Sequence, residues 1–296
     1  MLWGAAFSAQ KEASVLNAFV IGSARGILAA IFLLLMIPLL DKFLKNERGF
    51  LGKTRRGFFD FNKTEIFGGI ACGVVLSAAN AFQQFGINDG TDAGKAAFIT
   101  ALYVVIVPIL ALLFGKRSAI NVWISIAIAV VGFYLLCIKD GFSAELSDML
   151  VLICAFIFAA HIIVIDKFAP SCDGVRLSCI QFFVTFIINT ALALLLKVDI
   201  DFQAIGEVFP SLIYLGICSS GIAYTLQIVG QSHVPPATAS IVLSLESVFG
   251  VIFAAVIHGE RMSLREYIGC AIVFAAVMLS QIDFKKKANK ISKKDN

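Results

Sequence analysis

Charge is scarce in this chain. Asp, Glu, Lys and Arg together supply 15% of its 296 residues, whereas hydrophobic residues supply 59% and the mean hydropathy is +0.90. That balance excludes an ordinary soluble domain, in which about a quarter of residues are charged. The loops that grip phosphates and metals are missing too. There is no GxxxxGK[ST] run for a nucleotide, no HExxH, no GxSxG and no calcium loop, so ATP-driven, zinc-dependent and serine-nucleophile chemistries have no foothold. The seven cysteines form no CxxC pair and fall mostly within apolar runs, where Cys behaves as a small hydrophobe. His161, His233 and His258 share no ligand spacing. Neither a cofactor, a metal nor an enzymatic activity is expected. The alternating segments of about 10 residues that a membrane barrel needs are also absent.

What is present is apolar helix. Stretches near the roughly 20 residues that a bilayer demands recur at about 1–14, 17–40, 65–86, 95–114, 119–138, 148–167, 175–196, 208–229, 237–257 and 263–282. The expected fold is an all-α integral membrane protein of ten transmembrane helices. Of the 24 basic residues, 17 fall on one side if the connections alternate, concentrated in 41–64 and 285–294. By the positive-inside rule that side is cytoplasmic, which leaves both termini in the cytoplasm of a multi-pass plasma-membrane protein. The same basic clusters could contact nucleic acid, but the topological reading accounts for them, and no nucleic-acid partner is expected.

The chain also repeats itself. Residues 66–135 align with 210–279 at a constant offset of 144, pairing Ala79 with Ala223, Gln83 with Gln227, Gly86 with Gly230, Gly115 with Gly259 and Arg117 with Arg261. The first two spans follow at an offset of about 155 to 156, with Trp3 opposite Phe158 and Arg25 opposite Gln181. Each half then holds five spans, and an odd number inverts the second half relative to the first. Domains are expected at 1–140, at 145–283 and, as a basic cytoplasmic tail, at 284–296. Inverted repeats with a site between them are the pattern of secondary transporters. Only Met1 and Leu2 precede Trp3, whereas span six has about nine residues before Phe158; the first helix is therefore expected to be truncated. No basic n-region marks a signal peptide.

Several residues carry a family resemblance. Trp3-Gly4-Ala5-Ala6-Phe7, Ala24-Arg25-Gly26, the stretch Ala93 to Pro108, Leu243 to Gly250 and Gly259-Glu260-Arg261 together resemble the EamA-like members of the drug/metabolite transporter superfamily. This chain has Ser247 where the family has Pro after Glu246, and Lys116 where it has Glu after Gly115. The resemblance implies a ten-span carrier whose spans one to four and six to nine line the cavity. Spans five and ten would pack outside it or at a homodimer contact.

The candidate site residues are the polar groups that a bilayer tolerates least. Glu246, near the middle of span nine, is expected either to bind and release a proton for coupling or to serve as structural hydrogen-bonding glue. Arg25 could hold an anionic group bidentately, snorkel to the headgroups, or pair with Glu12. Its counterpart Gln181 is neutral. Asn80, Gln83 and Gln84 share about one turn of span three, and Tyr224 and Gln227 stand at i and i+3 on span eight; these would line a polar cavity or bond neighbouring helices. Tyr103 and His161 are further candidates for substrate contact. Trp123 and Tyr214 read better as anchors or packing, and Asp166 and Lys167 as solvated. Gly68, Gly69 and Gly73 suggest close helix approach. The expected cargo is a small metabolite, amino acids and related compounds first, exported by alternating access on a proton or substrate gradient. A multidrug cation exporter and a non-transporting scaffold or sensor are the alternatives.

Overall fold

The structure is a computed structural model that describes residues 1–43, 60–137, 145–258 and 263–280. The side chains of 42–43, 136–137, 251 and 254–258 are not described. Most of the basic 41–64 connection, the Gly259-Glu260-Arg261 signature and the 284–296 tail lie outside the described residues.

Every described element is helical. The chain runs through α1 (Leu2–Glu12), α2 (Ala18–Phe43), α3 (Lys63–Asn88), α4 (Ala93–Ala101), α5 (Tyr103–Leu113), α6 (Ile120–Cys137), α7 (Leu146–Phe168) and α8 (Gly174–Leu195). It continues through the short α9 (Phe202–Glu207) and α10 (Phe209–Ile213), a π-helical stretch (Tyr214–Tyr224), α11 (Thr225–Gln231), α12 (Pro236–Leu243), α13 (Leu245–His258) and α14 (Leu264–Ser280). Among the described residues, six apolar helical runs are long enough to cross a bilayer: Ala18–Asp41, Lys63–Asn88, Ala93–Leu113, Leu146–Ser171, Gly174–Leu195 and Phe209–Gln231. Ile120–Leu135 and Pro236–Gly250 are shorter apolar helices. The helix at the first expected span, α1, has 11 residues and the one at the last, α14, has 17. This is a multi-pass helical membrane protein.

Polar residues gather where helices begin, because the first backbone N–H groups of a helix lack partners. Asn62 and Glu65 form a capping box on α3, with Glu65 N donating to Asn62 Oδ1 (2.6 Å) and Asn62 N to Glu65 Oε2 (2.8 Å). Asp173 caps α8 by accepting from the backbone of Val175 and Arg176, each at 3.0 Å. Gly115, at φ 75°, ends α5 in a turn closed by Lys116 N donating to the Ala111 carbonyl at 2.9 Å.

Between the helices, small residues set the spacing. A Cβ at Gly69 would meet Ile180 at 2.6 Å, and one at Gly73 would meet the Gln181 carbonyl at 2.7 Å, so α3 lies almost backbone to backbone on α8. Gly22 and Gly26 do the same for α2 against Asn189 and Phe186 of α8, a second small-xxx-small pattern. Thus α8 is clasped by α2 and α3, α3 also packs on α7, and α1 packs on α13 and the π stretch. Off to one side, α6 packs on α14.

Candidate functional site

Three departures from ideal helix shape the middle of the molecule. At Leu102 the run α4–α5 tightens: Leu102 N donates to the Ile99 carbonyl (3.2 Å) and Val105 N to the Leu102 carbonyl (3.0 Å), both i to i−3 bonds. At Ser244 the run α12–α13 does likewise, with Ser247 N donating to the Ser244 carbonyl at 3.2 Å. The Ser244 hydroxyl bonds the Ile241 carbonyl at 2.7 Å, which satisfies backbone at the bend in place of the helix ladder. The third departure is the π stretch, whose wider turns carry Ser219, Ser220 and Tyr224.

These three segments, with α1, α2, α3 and α7, surround a cavity of about 470 Å³ of empty space, part of it open to the outside. Residues of both sequence halves line it. Arg25, Gln83, Tyr103, Tyr224, Gln227 and Glu246, all candidates on sequence, are on its wall. Tyr103 and Glu246 each stand in the first turn after a helix bend, and there the Tyr103 hydroxyl donates to Glu246 Oε1 at 3.2 Å. Ser247, at the family's Pro position, donates from its hydroxyl to the Ala97 carbonyl at 3.2 Å and ties α13 to α4.

Arg25 is only 5% exposed. Its Nε donates to Ser220 Oγ at 3.3 Å and its Nη2 to Ser219 Oγ at 3.5 Å, while no carboxylate among the described residues touches the guanidinium. Neither snorkelling nor a pair with Glu12 describes it, because Glu12 instead accepts from the Ser211 hydroxyl. Trp3 closes the same corner: its indole donates to the Ser219 carbonyl at 3.0 Å and its ring meets Tyr224 edge-on at 4.7 Å.

Gln83 sits inside a chain of bonds. Gln10 Nε2 donates to Gln83 Oε1 (3.0 Å), and Gln83 Nε2 donates to Thr100 Oγ1 (3.1 Å). Gln227 is held from one side only, its Nε2 donating to Gln231 Oε1 at 2.8 Å while Gln231 Nε2 donates to the Ile162 carbonyl at 3.1 Å. A carbonyl oxygen can only accept, so that chain fixes both amides and leaves Gln227 Oε1 without a partner.

Four sequence candidates, Asn80, Gln84, His161 and Gln181, are not on the wall. Asn80 is buried away from the cavity, with Oδ1 unpartnered, because a residue three positions before Gln83 on α3 need not share its exact bearing. Its neighbour Gln84 turns to the Gln10 carbonyl and Asn88. Gln181 and His161 are fully buried and bonded to each other at 3.0 Å, behind Tyr224, whose ring lies 6.0 Å from the imidazole. The tight packing of α8 on Gly73 is what turns Gln181 into the helix interface. Asp166 is not solvated, as its sequence position suggests, but ion-paired with Lys116 and largely buried. Tyr214 donates to the Leu2 carbonyl at 2.7 Å, and Trp123 packs against the apolar core.

The wall also includes polar residues not singled out on sequence: Gln10, Thr100 and Ser219. The Ser219-Ser220 pair within an apolar span was a usable signal; Gln10 and Thr100 offered none, being ordinary residues near helix ends. Among the described residues, no three of His, Cys, Asp and Glu gather closely enough to hold a metal ion.

Comparison with known proteins places this arrangement. A solved crystal structure covers 95% of this chain and 92% of its own at a TM-score of 0.73, with 14% identity, a likeness of fold alone. An "uncharacterized transporter" of Archaeoglobus fulgidus (strain ATCC 49558 / DSM 4304 / JCM 9628 / NBRC 100126 / VC-16) is 28% identical over 285 residues, covering 94% of this chain and 82% of that protein. Residues 145–281 match the EamA-like transporter family, and with them the cavity-lining Glu246, Gln227 and Tyr224 fall inside the matched region. Residues 145–281 thus carry a match to the EamA-like transporter family, in line with the resemblance read from the sequence.

Proposed function

We propose that this protein is a secondary carrier that exports a small polar metabolite, amino acids and related compounds first, across the plasma membrane by alternating access. The observation that carries the reading is the cavity itself: a space between the sequence halves, with one buried cation and one buried carboxyl on its wall. The printed name of the Archaeoglobus fulgidus relative agrees with it.

The pattern of helix contacts supports two inverted five-span halves, and the placement of basic residues supports both termini in the cytoplasm. Exchanging spans one with six, two with seven, three with eight and four with nine turns one observed contact into another. The α3–α7 contact becomes that of α1 with the π stretch, α3–α8 becomes α2 with the π stretch, and α5–α7 becomes α1–α13. Polar ties join the halves on either side of the cavity. Arg176 bonds Asp41 at 2.8 Å near the start of α8, and Lys95 bonds Asp148 at 2.6 Å near the start of α7. Ties of this kind can open at one face while closing at the other. Spans five and ten, α6 and α14, contribute nothing to the wall and are free to serve a homodimer contact.

Glu246 is the coupling group in this reading, taking up and releasing a proton during the cycle. The test is uptake of a labelled amino-acid and metabolite panel into proteoliposomes with and without an imposed pH gradient. Gradient-driven movement of at least one compound is expected in wild type and is lost in Glu246→Gln. Movement indifferent to gradient and substitution returns Glu246 to structural bonding; no movement at all favours a scaffold or sensor.

A further inference from the structure

Two glutamines that the 144-residue offset pairs, Gln83 and Gln227, both stand on the cavity wall, and each belongs to a short chain of amide bonds. In the first chain, Gln10 Nε2 of α1 donates to Gln83 Oε1 of α3 at 3.0 Å, and Gln83 Nε2 donates to Thr100 Oγ1 of α4 at 3.1 Å. Beside it, Gln84 Nε2 donates to the Gln10 carbonyl at 3.1 Å and Asn88 Nδ2 to the Leu16 carbonyl at 2.9 Å. In the second chain, Gln227 Nε2 donates to Gln231 Oε1 at 2.8 Å, and Gln231 Nε2 to the Ile162 carbonyl of α7 at 3.1 Å. The two chains join equivalent spans. A glutamine of span three reaches the backbone of span one at Gln10, and a glutamine of span eight reaches the backbone of span six at Ile162. The offset of 155 carries Gln10 to Ile165, one turn from Ile162.

Each chain lies near one end of its span. Gln83 is five residues before the end of α3 at Asn88, and Gln227 is four before the end of its helix at Gln231. In an inverted arrangement those two ends face opposite sides of the membrane. Bonds that serve packing alone are found away from the cavity in this protein, as between His161 and Gln181, whereas Gln10, Gln83, Thr100 and Gln227 all line it. Neutral amide bonds between membrane helices are individually weak, which suits groups that part and re-form. On the wall they can also be exchanged for bonds to a molecule held inside, so occupancy can shift the balance between arrangements.

We infer that these two amide chains are the gates of the cavity. The bonds of Gln10 and Gln84 with α3 and α1 close the outer end, those of Gln227 and Gln231 close the cytoplasmic end, and the two sets part in turn. The inference rests on the alternating-access reading above and assigns its moving parts. Helix α1 is the outer moving wall: Trp3, Phe7 and Gln10 share one of its faces and line the cavity. It crosses α13 at a glycine contact, where a Cβ on Gly4 would lie 2.6 Å from Gly250 N. Backbones that touch directly leave no side chain at that crossing to obstruct a change of angle.

A reporter thiol between the gates, Leu243→Cys on the cavity wall, reads which end is open. Its labelling by a membrane-impermeant methanethiosulfonate is followed in right-side-out and in inside-out vesicles, above the level of the same protein with Leu243 intact. Gln83→Ala, and independently Gln10→Leu, are expected to speed labelling from the outer face roughly fivefold, the population shift that losing one or two such bonds gives. Labelling from the cytoplasmic face stays the same or slows. Gln231→Leu is expected to do the reverse, speeding labelling from the cytoplasmic face alone. The opposite signs carry the test, because a variant that merely loosens the fold gains labelling from both faces. Equal gains from both faces in all three variants overturn the gates. If the thiol is labelled from both faces and the variants change neither rate, only the gate assignment falls; if it is labelled from one face alone or from neither in every variant, alternating access falls with it.

Discussion

Helix α3 and its counterpart 144 residues on, the run Phe209–Gln231, share Ala, Gln and Gly at matched positions and do different work with them. The first is one continuous α-helix of 26 residues that lies tightly on α7 and α8. The second opens into π geometry over Tyr214–Tyr224 before returning to α-helix. Gly86 is pressed against α7, where a Cβ would stand 2.5 Å from Val151 and 2.9 Å from the Ser147 carbonyl, whereas a Cβ at Gly230 would meet nothing within 4 Å. Gln83 is bonded on both ends of its amide, and Gln227 on one. A matched residue keeps its place along the helix, but its task is set by whatever stands opposite: Gly86 serves close packing on α7, whereas Gly230 faces open space.

Substitutions can break this contrast. The largest effect is expected at Gly73, whose repeat position is occupied by Ile217: Gly73→Val drives a side chain into the Gln181 carbonyl and Val184 and should destabilise by about 3 kcal/mol. Gly86→Ala should cost about 2 kcal/mol for the same reason. Gln83→Ala strands Gln10 and Thr100 and should cost about 1 kcal/mol, whereas Gln227→Ala should change stability by less than about 0.6 kcal/mol while still impairing cargo binding. Gly230→Ala reverses the sign, since it adds helix propensity worth up to about 1 kcal/mol without meeting a neighbour. Melting temperatures of the five purified variants in one detergent rank them; Gly86→Ala and Gly230→Ala shifting alike would erase the contrast between the two helices.

Much of the architecture was legible in the sequence. Apolar runs of bilayer length marked most of the helices, because burying twenty apolar residues in hydrocarbon needs no tertiary partner to be favourable. The glycines of α3 announced close approach. Capping pairs such as Asn62 with Glu65 show why helices start where they do. The cavity was legible in part: Glu246 and Arg25 stood out because charge is rare in a membrane span, and both are on the wall. The second small-residue pattern on α2, Gly22 and Gly26, passed unremarked because its partner helix could not be known.

The polar amides show where sequence reasoning stops. Asn80, Gln83 and Gln84 lie within about one turn, yet only Gln83 reaches the cavity. His161 and Gln181 satisfy each other one layer behind it. On a soluble helix the polar face points to water and reveals the orientation. These helices are apolar nearly all round, with lipid on one side and protein on the other, so periodicity leaves their rotation open.

Composition and spacing by themselves determined that this chain lives in a bilayer as a series of apolar helices. The tertiary structure alone decided which polar atoms are spent on neighbours and which side chains face the cavity. A span enters the membrane on the free energy of its own side chains, but a hydrogen bond needs a second group at the right distance, and in this chain that group comes from another helix.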